Sequence, residues 1–150
     1  MNKINTKLMD VPDEVSLKYC ADIIKRGGTV AFPTETVYGL GADGLNSSAV
    51  EKIFIAKGRP NDNPLILHIH DISVLDKYVK EVPKTLTVLS RLYMPGPLTV
   101  VLKKRSIVPD SVTANLDTVA IRVPDNEIAL KLIEYSDTAI AAPSANISGK

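Results

Sequence analysis

The 150-residue chain has no tryptophan, two phenylalanines and a single cysteine, Cys20. One cysteine excludes an internal disulfide and any cysteine-rich metal site. Cys20 is read as packed in an apolar helix face, since cysteine often behaves as a small buried hydrophobe. Histidine is equally scarce: only His68 and His70 are present. Neither has a clear nucleophile partner, so no Ser-His-Asp arrangement can be defended. Aromatic residues make up 5% of the chain and the net charge is +1. Global electrostatics therefore give no case for a nucleic-acid or membrane partner, and the shortage of stacking rings counts against an RNA reader. No apolar run approaches the ~18 residues of a membrane span. The polar start, Met1 to Asp10, has no signal-peptide core. A cytoplasmic location is expected. Internal repeats, low-complexity tracts and linkers are also missing, as are the Walker and dinucleotide glycine patterns.

What is present is a soluble globular composition, 45% apolar and 23% charged, at a length that suits one domain spanning 1–150. Helical spacing of Val15, Tyr19, Ile23 and Ile24, with Leu17 and Cys20 nearby, predicts a helix over 13–26, ended by Gly27-Gly28. Thr29 to Phe32 reads as a buried strand and Pro33 to Gly44 as a turn-rich segment. Ser48-Ala49-Val50-Glu51 has the form of a capping box and predicts a helix to about Ala56. Strands are expected at 65–69, 98–102, 118–123 and 138–142. Helices are expected near 71–80, 84–93 and 125–135, and a loop with a short irregular element over 103–117. The alternation indicates an α/β domain with a mixed sheet, whose ligands tend to sit in loops beyond the strand ends.

The residues suited to chemistry fall in such loops or at strand ends. Lys57 and Arg59 follow a helix. They are either a capped helix end with solvated charges or a phosphate site, with arginine as a planar fork and lysine as a point charge. Pro60 and Pro64 stiffen the loop that carries Asn63. Thr34, Thr36 and Tyr38 alternate, which would put three hydroxyls on one side of an extended chain; the other reading is local turn chemistry. Gly39 and Gly41 permit tight turning or close approach to a ligand. His68 and His70 share one strand face without a third ligand for zinc. A polar contact from His68 to substrate, or simple exposure, is expected instead. Arg122 lies in the apolar run Val119 to Val123 and must either pair or face a cleft, because an unpaired buried charge is very costly. Ser144 and Asn146 leave the last strand.

Taken in order, these segments resemble the YrdC-like threonylcarbamoyl-AMP synthase family. The resemblance rests on Gly27 to Gly41, on Lys57-Gly58-Arg59-Pro60 with Asn63-Pro64-Leu65, and on Pro95 to Thr99. It rests also on Ala120 to Pro124 and on Ala142 to Gly149. It implies a twisted mixed sheet flanked by helices, with a concave basic cleft. It implies synthesis of threonylcarbamoyl-AMP from L-threonine, bicarbonate and ATP, with Mg²⁺ on the phosphates, for N6-threonylcarbamoyladenosine formation in tRNA. Implied partners are tRNA and a downstream threonylcarbamoyl-transfer protein. Lys57, Arg59, Asn63, Thr118, Ser144 and Asn146 would serve the nucleotide, with Lys57 and Arg59 supplying catalytic charge. Thr34, Thr36, Tyr38, His68, Arg122 and Ser144 would serve threonine, whose carboxylate would pair with Arg122.

The family's domain usually continues beyond the Ser-Ala-Asn segment, so the chain is expected to lack a C-terminal part that helps bind phosphates and threonine. Alternatives to the synthase are a non-catalytic RNA- or nucleotide-binding remnant and a carbamoyl-transfer relative.

Overall fold

A computed structural model describes residues 5–150, so part of the polar start lies outside the described residues. Helix α1 spans Glu14–Lys25, capped by the Asp13 carboxylate on the Ser16 N–H at 2.8 Å. Its end is a double-bonded glycine turn: Gly27 sits at φ +79°, Gly27 N–H donates to Ile24 O, and Gly28 N–H to Ile23 O. The buried stripe is Leu17, Ala21 and Ile24, with Cys20 packed at its margin. Val15 and Tyr19, expected inward, are exposed. The stripe that packs on the rest of the molecule lies on nearly the opposite side of the helix from Val15 and Tyr19, at about 100° per residue.

Strand β1 is Val30–Phe32 and β2 is Gly39–Asp43. The second corrects the expectation of turn alone over 33–44. β2 reads Gly-Leu-Gly-Ala-Asp, without a single β-branched residue, which hides it from propensity. Its glycines lie close against side chains across the sheet. A Cβ at Gly41 would come within 2.7 Å of the Phe32 ring and 2.6 Å of Ile140.

Helix α2, Ser47–Lys57, starts one residue before the expected cap. Asn46, not Ser48, takes that role and accepts from Ala49 N–H at 3.2 Å. Its Val50, Ile53 and Phe54 are buried as expected. Then follow β3 (Ile66–His68), a 3-10 helix (Ile72–Lys77), α3 (Lys84–Tyr93) and β4 (Thr99–Lys103). The chain closes with α4 (Asp110–Thr113), β5 (Thr118–Arg122), α5 (Glu127–Ser136) and β6 (Ile140–Ala141).

The six strands form one mixed sheet in the order β1-β2-β6-β3-β5-β4, in which only the β3–β5 pair is parallel. One face carries Leu67, Val119 and Ile121 into the main core, under α2, α4 and the 3-10 helix. A second core joins α1 and α5 around Phe32 and Ile140. Cross-strand partners share a sheet face, so Ile66, His68, Ala120, Arg122, Thr99 and Val101 line up opposite the main core. There β5 alternates: Val119 and Ile121 are buried, whereas Thr118, Ala120 and Arg122 stay half-open, and Val101 on β4 is 63% exposed. The second core therefore covers only the β1-β2-β6 end of this face. Among the described residues no helix is long and apolar enough to cross a membrane.

Candidate active site

Two clusters of polar side chains stand out, one at the end of α2 and one around Arg122 on the half-open face. The first is built on the end of α2. Gly58 takes φ +59°, and Arg59 N–H donates to Phe54 O at 3.0 Å, so the chain reverses between the two cations. An L side chain at that φ is strained, which accounts for glycine between Lys57 and Arg59. Lys57 is not a solvated helix end. It is 3% exposed, and its ammonium donates to Ser144 O and, at 2.6 Å, to Asn146 O. Ser148 N–H returns a bond to Lys57 O at 3.0 Å. Burial, with Arg59 close by, pulls the Lys57 amine below its ordinary pKa.

The Ser144 hydroxyl donates to Asn146 Oδ1 at 2.5 Å, and Asn146 Nδ2 holds the carbonyls of Ile147 and Lys150. Arg59 gives a terminal nitrogen to Pro64 O at 3.1 Å, while its Nε is buried without a partner among the described residues. A groove of about 650 Å³ opens beside it, lined also by Asp62, Asp110 and Ser111, whose buried hydroxyl likewise has no partner. Asn63 is exposed on the following loop.

The second cluster surrounds Arg122. Its Nε donates to Gly96 O at 3.1 Å, and Nη2 to Glu35 and, at 3.5 Å, to Thr36 Oγ1. The Glu35 carboxylate also accepts from Asp125 N–H. The side chains of this ion pair are only 11% and 21% exposed. Glu35 is the partner of Arg122 that sequence reasoning missed. The signal was there: Arg122 needed a partner, and Glu35 is the only acid in the Thr-rich loop 33–38. Burial lowers the Arg122 pKa from its usual value, yet a guanidinium stays charged.

The loop itself is bent, not extended. Thr34 Oγ1 accepts from Thr36 N–H and Val37 N–H at 3.2 Å and donates to Val37 O at 2.6 Å. Turn chemistry therefore wins over the alternating row of hydroxyls. Thr34 and Thr36 meet at 3.1 Å, while Tyr38 points away with 62% exposure. Backbone bonds from Ala145 to Tyr38 and from Leu40 to Pro143, with a Gly39–Ser144 bridge, tie this loop to the first cluster.

His68 lies on the strand beside Arg122. It pairs in register with Arg122 and Ile140, packs edge-on to Phe32 at 6.1 Å, and is 4% exposed. The expectation of surface exposure is thus overturned. Desolvation pushes its pKa down to about 4, against the opposing pull of the Ile140 and Ile66 backbone. Its Nδ1 has no partner among the described residues. Thr118 stands on the same strand face as Arg122 but at the far end of β5, about 13 Å away at ~3.3 Å per residue. The site residues therefore fall into two groups, with Thr118 and Asn63 at the periphery.

This arrangement defines a class: a mixed-sheet α/β protein with a half-open face bordered by fixed cations. Comparison with known proteins narrows it. The Sua5/YciO/YrdC family profile, described as "Telomere recombination", matches residues 22–150, and the chain belongs to that family. It is 56% identical over 138 residues to the threonylcarbamoyl-AMP synthase of Pyrococcus abyssi, spanning 92% of this chain and 41% of the relative. It is 50% identical to that of Bacillus subtilis over 148 residues, spanning 95% of this chain and 43% of the relative. The crystal structure of P. abyssi Sua5 complexed with L-threonine matches with a TM-score of 0.90 at 56% identity, over 92% of this chain and 41% of that one. The chain thus spans about two fifths of the length of these relatives.

Proposed function

We propose that the chain carries the adenylate-forming site of a threonylcarbamoyl-AMP synthase, for N6-threonylcarbamoyladenosine formation in tRNA. The observation that carries this reading is 56% identity to the P. abyssi synthase across 92% of the chain. In this reading the amine of L-threonine adds to bicarbonate to give a carbamate and water. A carbamate oxygen then attacks the α-phosphorus of ATP, and diphosphate leaves. No protein nucleophile is required; the protein has to position two anions and offset developing charge.

Lys57 suits the nucleotide end because its charge is fixed by two carbonyls and met by no carboxylate among the described residues. Arg59 adds a second cation with an unspent donor. Ser144 and Asn146 hold the strap that fixes Lys57, with Asn63 and Thr118 at the margins of the nucleotide. At the threonine end Arg122 would take the carboxylate, with Thr34 and Thr36 beside it, Tyr38 on the outer wall and His68 as a neutral support below. Among the described residues no three His, Cys, Asp or Glu side chains form a metal cage. Mg²⁺ would be held by the phosphates and water, its usual mode, and would offset charge on the departing diphosphate. The same reading implies contact with tRNA and hand-over to a threonylcarbamoyl-transfer protein.

The test is diphosphate release by the purified chain, with ATP affinity measured calorimetrically alongside. Release that requires both L-threonine and bicarbonate supports the synthase. Threonine-independent ATP binding without release leaves a nucleotide-binding remnant. Salt-sensitive RNA binding without chemistry would favour an RNA module.

A further inference from the structure

We infer that Glu35 is a resident carboxylate that competes with the substrate's carboxylate for Arg122, so that threonine binds by displacing Glu35 and releasing the loop 33–38. This rests on the threonine reading of the same site.

The argument starts from the guanidinium. Arginine recognises a carboxylate with two parallel N–H bonds. It has two such faces, one formed by Nε and Nη2 and the other by Nη1 and Nη2. Both include Nη2. In this protein Nη2 donates to Glu35 and Thr36, and Nε is taken by Gly96 O. Neither two-pronged face is free. A second carboxylate added to the same guanidinium would meet Glu35 as a like charge in a setting where both side chains are largely withdrawn from water. Like charges in such a setting disfavour one another strongly. The incoming group must therefore replace Glu35.

Glu35 is also placed to report its own displacement. Its other oxygen accepts from the Asp125 N–H, just before α5. Apart from Thr36 on Arg122, these two contacts are the side-chain hydrogen bonds that tie residues 33–38 to the β5–α5 junction among the described residues. Thr34 Oγ1 keeps the bend itself intact through bonds inside the loop. Anchored at Tyr38 O by the Ala145 N–H, the loop can therefore pivot as a formed unit once Glu35 lets go and Thr36 yields its bond to Arg122. A ligand lacking a carboxylate has no means to release it, which gives Glu35 a part in selecting amino acids over amines.

Two measurements test this. Calorimetric titration compares L-threonine binding to the unaltered chain and to Glu35→Gln. Binding should tighten about 3–10-fold in the variant, the gain expected if Arg122 is free of Glu35 in roughly 10–30% of molecules. Hydrogen exchange at the Asp125 amide of the unaltered chain should quicken when L-threonine is added. Unchanged or weaker binding by a folded Glu35→Gln chain overturns the inference, as does an Asp125 amide that is slowed or unaffected. Should the variant not fold, the exchange measurement decides alone. If L-threonine binds neither protein, the threonine reading falls and the inference with it. Binding to both without the predicted gain removes the inference only.

Discussion

The two cationic clusters solve the same problem in opposite ways. Lys57 is held by the neutral backbone carbonyls of Ser144 and Asn146, so its positive charge is fixed in place and left uncompensated. Arg122 is held by a carboxylate, so its charge is fixed and neutralised. An anion arriving at the first finds a ready field. An anion arriving at the second must exchange with a resident one. Electrostatic preorganisation is thus permanent at the proposed nucleotide end and conditional at the proposed amino-acid end.

The strongest way to break this contrast is Lys57→Met, which keeps the stem and removes the charge. Diphosphate release should fall about 100–1000-fold, the scale seen when one preorganised donor is lost. Urea unfolding should show a loss of about 1–3 kcal/mol, because two backbone carbonyls lose a charged donor. A variant of near-normal activity would mean that the ammonium only staples the strap.

His68 probes the strand support beside the Arg122 cluster. Its folded pKa of about 4 lies below the ordinary 6.5. Its contribution to stability is then fully present above about 6.5 and is lost as pH falls toward about 4, because the unfolded chain takes up the proton first. The shift corresponds to on the order of 3 kcal/mol. In His68→Leu the decline in stability between those pH values should be shallower than in the parent. Parallel profiles would show that the buried ring is not the titrating group.

Arg122→Lys keeps the charge at the second cluster and discards the fork. The KM for L-threonine should rise about 10–100-fold, the value of one charge-assisted hydrogen bond, while ATP affinity holds. An equal loss for both ligands would erase the division into two ends. The smallest effect belongs to Asn46→Ala, at the opposite terminus of α2 from Lys57. Removing the cap should lower thermal stability by about 1 kcal/mol and leave ATP affinity untouched. A change in affinity would mean that α2 transmits strain along its length.

Local chemistry made much of this legible in the sequence. Gly27-Gly28 and Gly58 announce helix ends because glycine reaches positive φ cheaply. The helix near 84–93 is present as expected, and Arg122 was readable from the cost of a charge in an apolar strand. What stayed hidden depends on partners far along the chain. Lys57 looks like a solvated terminus until residues 87 and 89 positions away cover it. Glu35 looks like a loop carboxylate until Arg122, also 87 positions away, arrives. β2 was missed because its glycines are chosen for the Phe32 and Ile140 side chains across the sheet and not for strand propensity. Asn46 outcompeted Ser48 as cap because the Gly44 backbone bonds to Ala139, fixing where the chain can turn into the helix.

The strand order also dictates a timetable during synthesis. β6, only Ile140–Ala141, lies in the middle of the sheet although it follows the other five strands in the chain. Until the ribosome releases it, the β1–β2 hairpin and the β3–β5–β4 ribbon have no strand to join them, and each keeps an unpaired edge facing the other. Such edges attract other chains. A nascent chain with residues up to 139 outside the tunnel should therefore be cut more readily by protease than one in which Ile140 and Ala141 have also emerged.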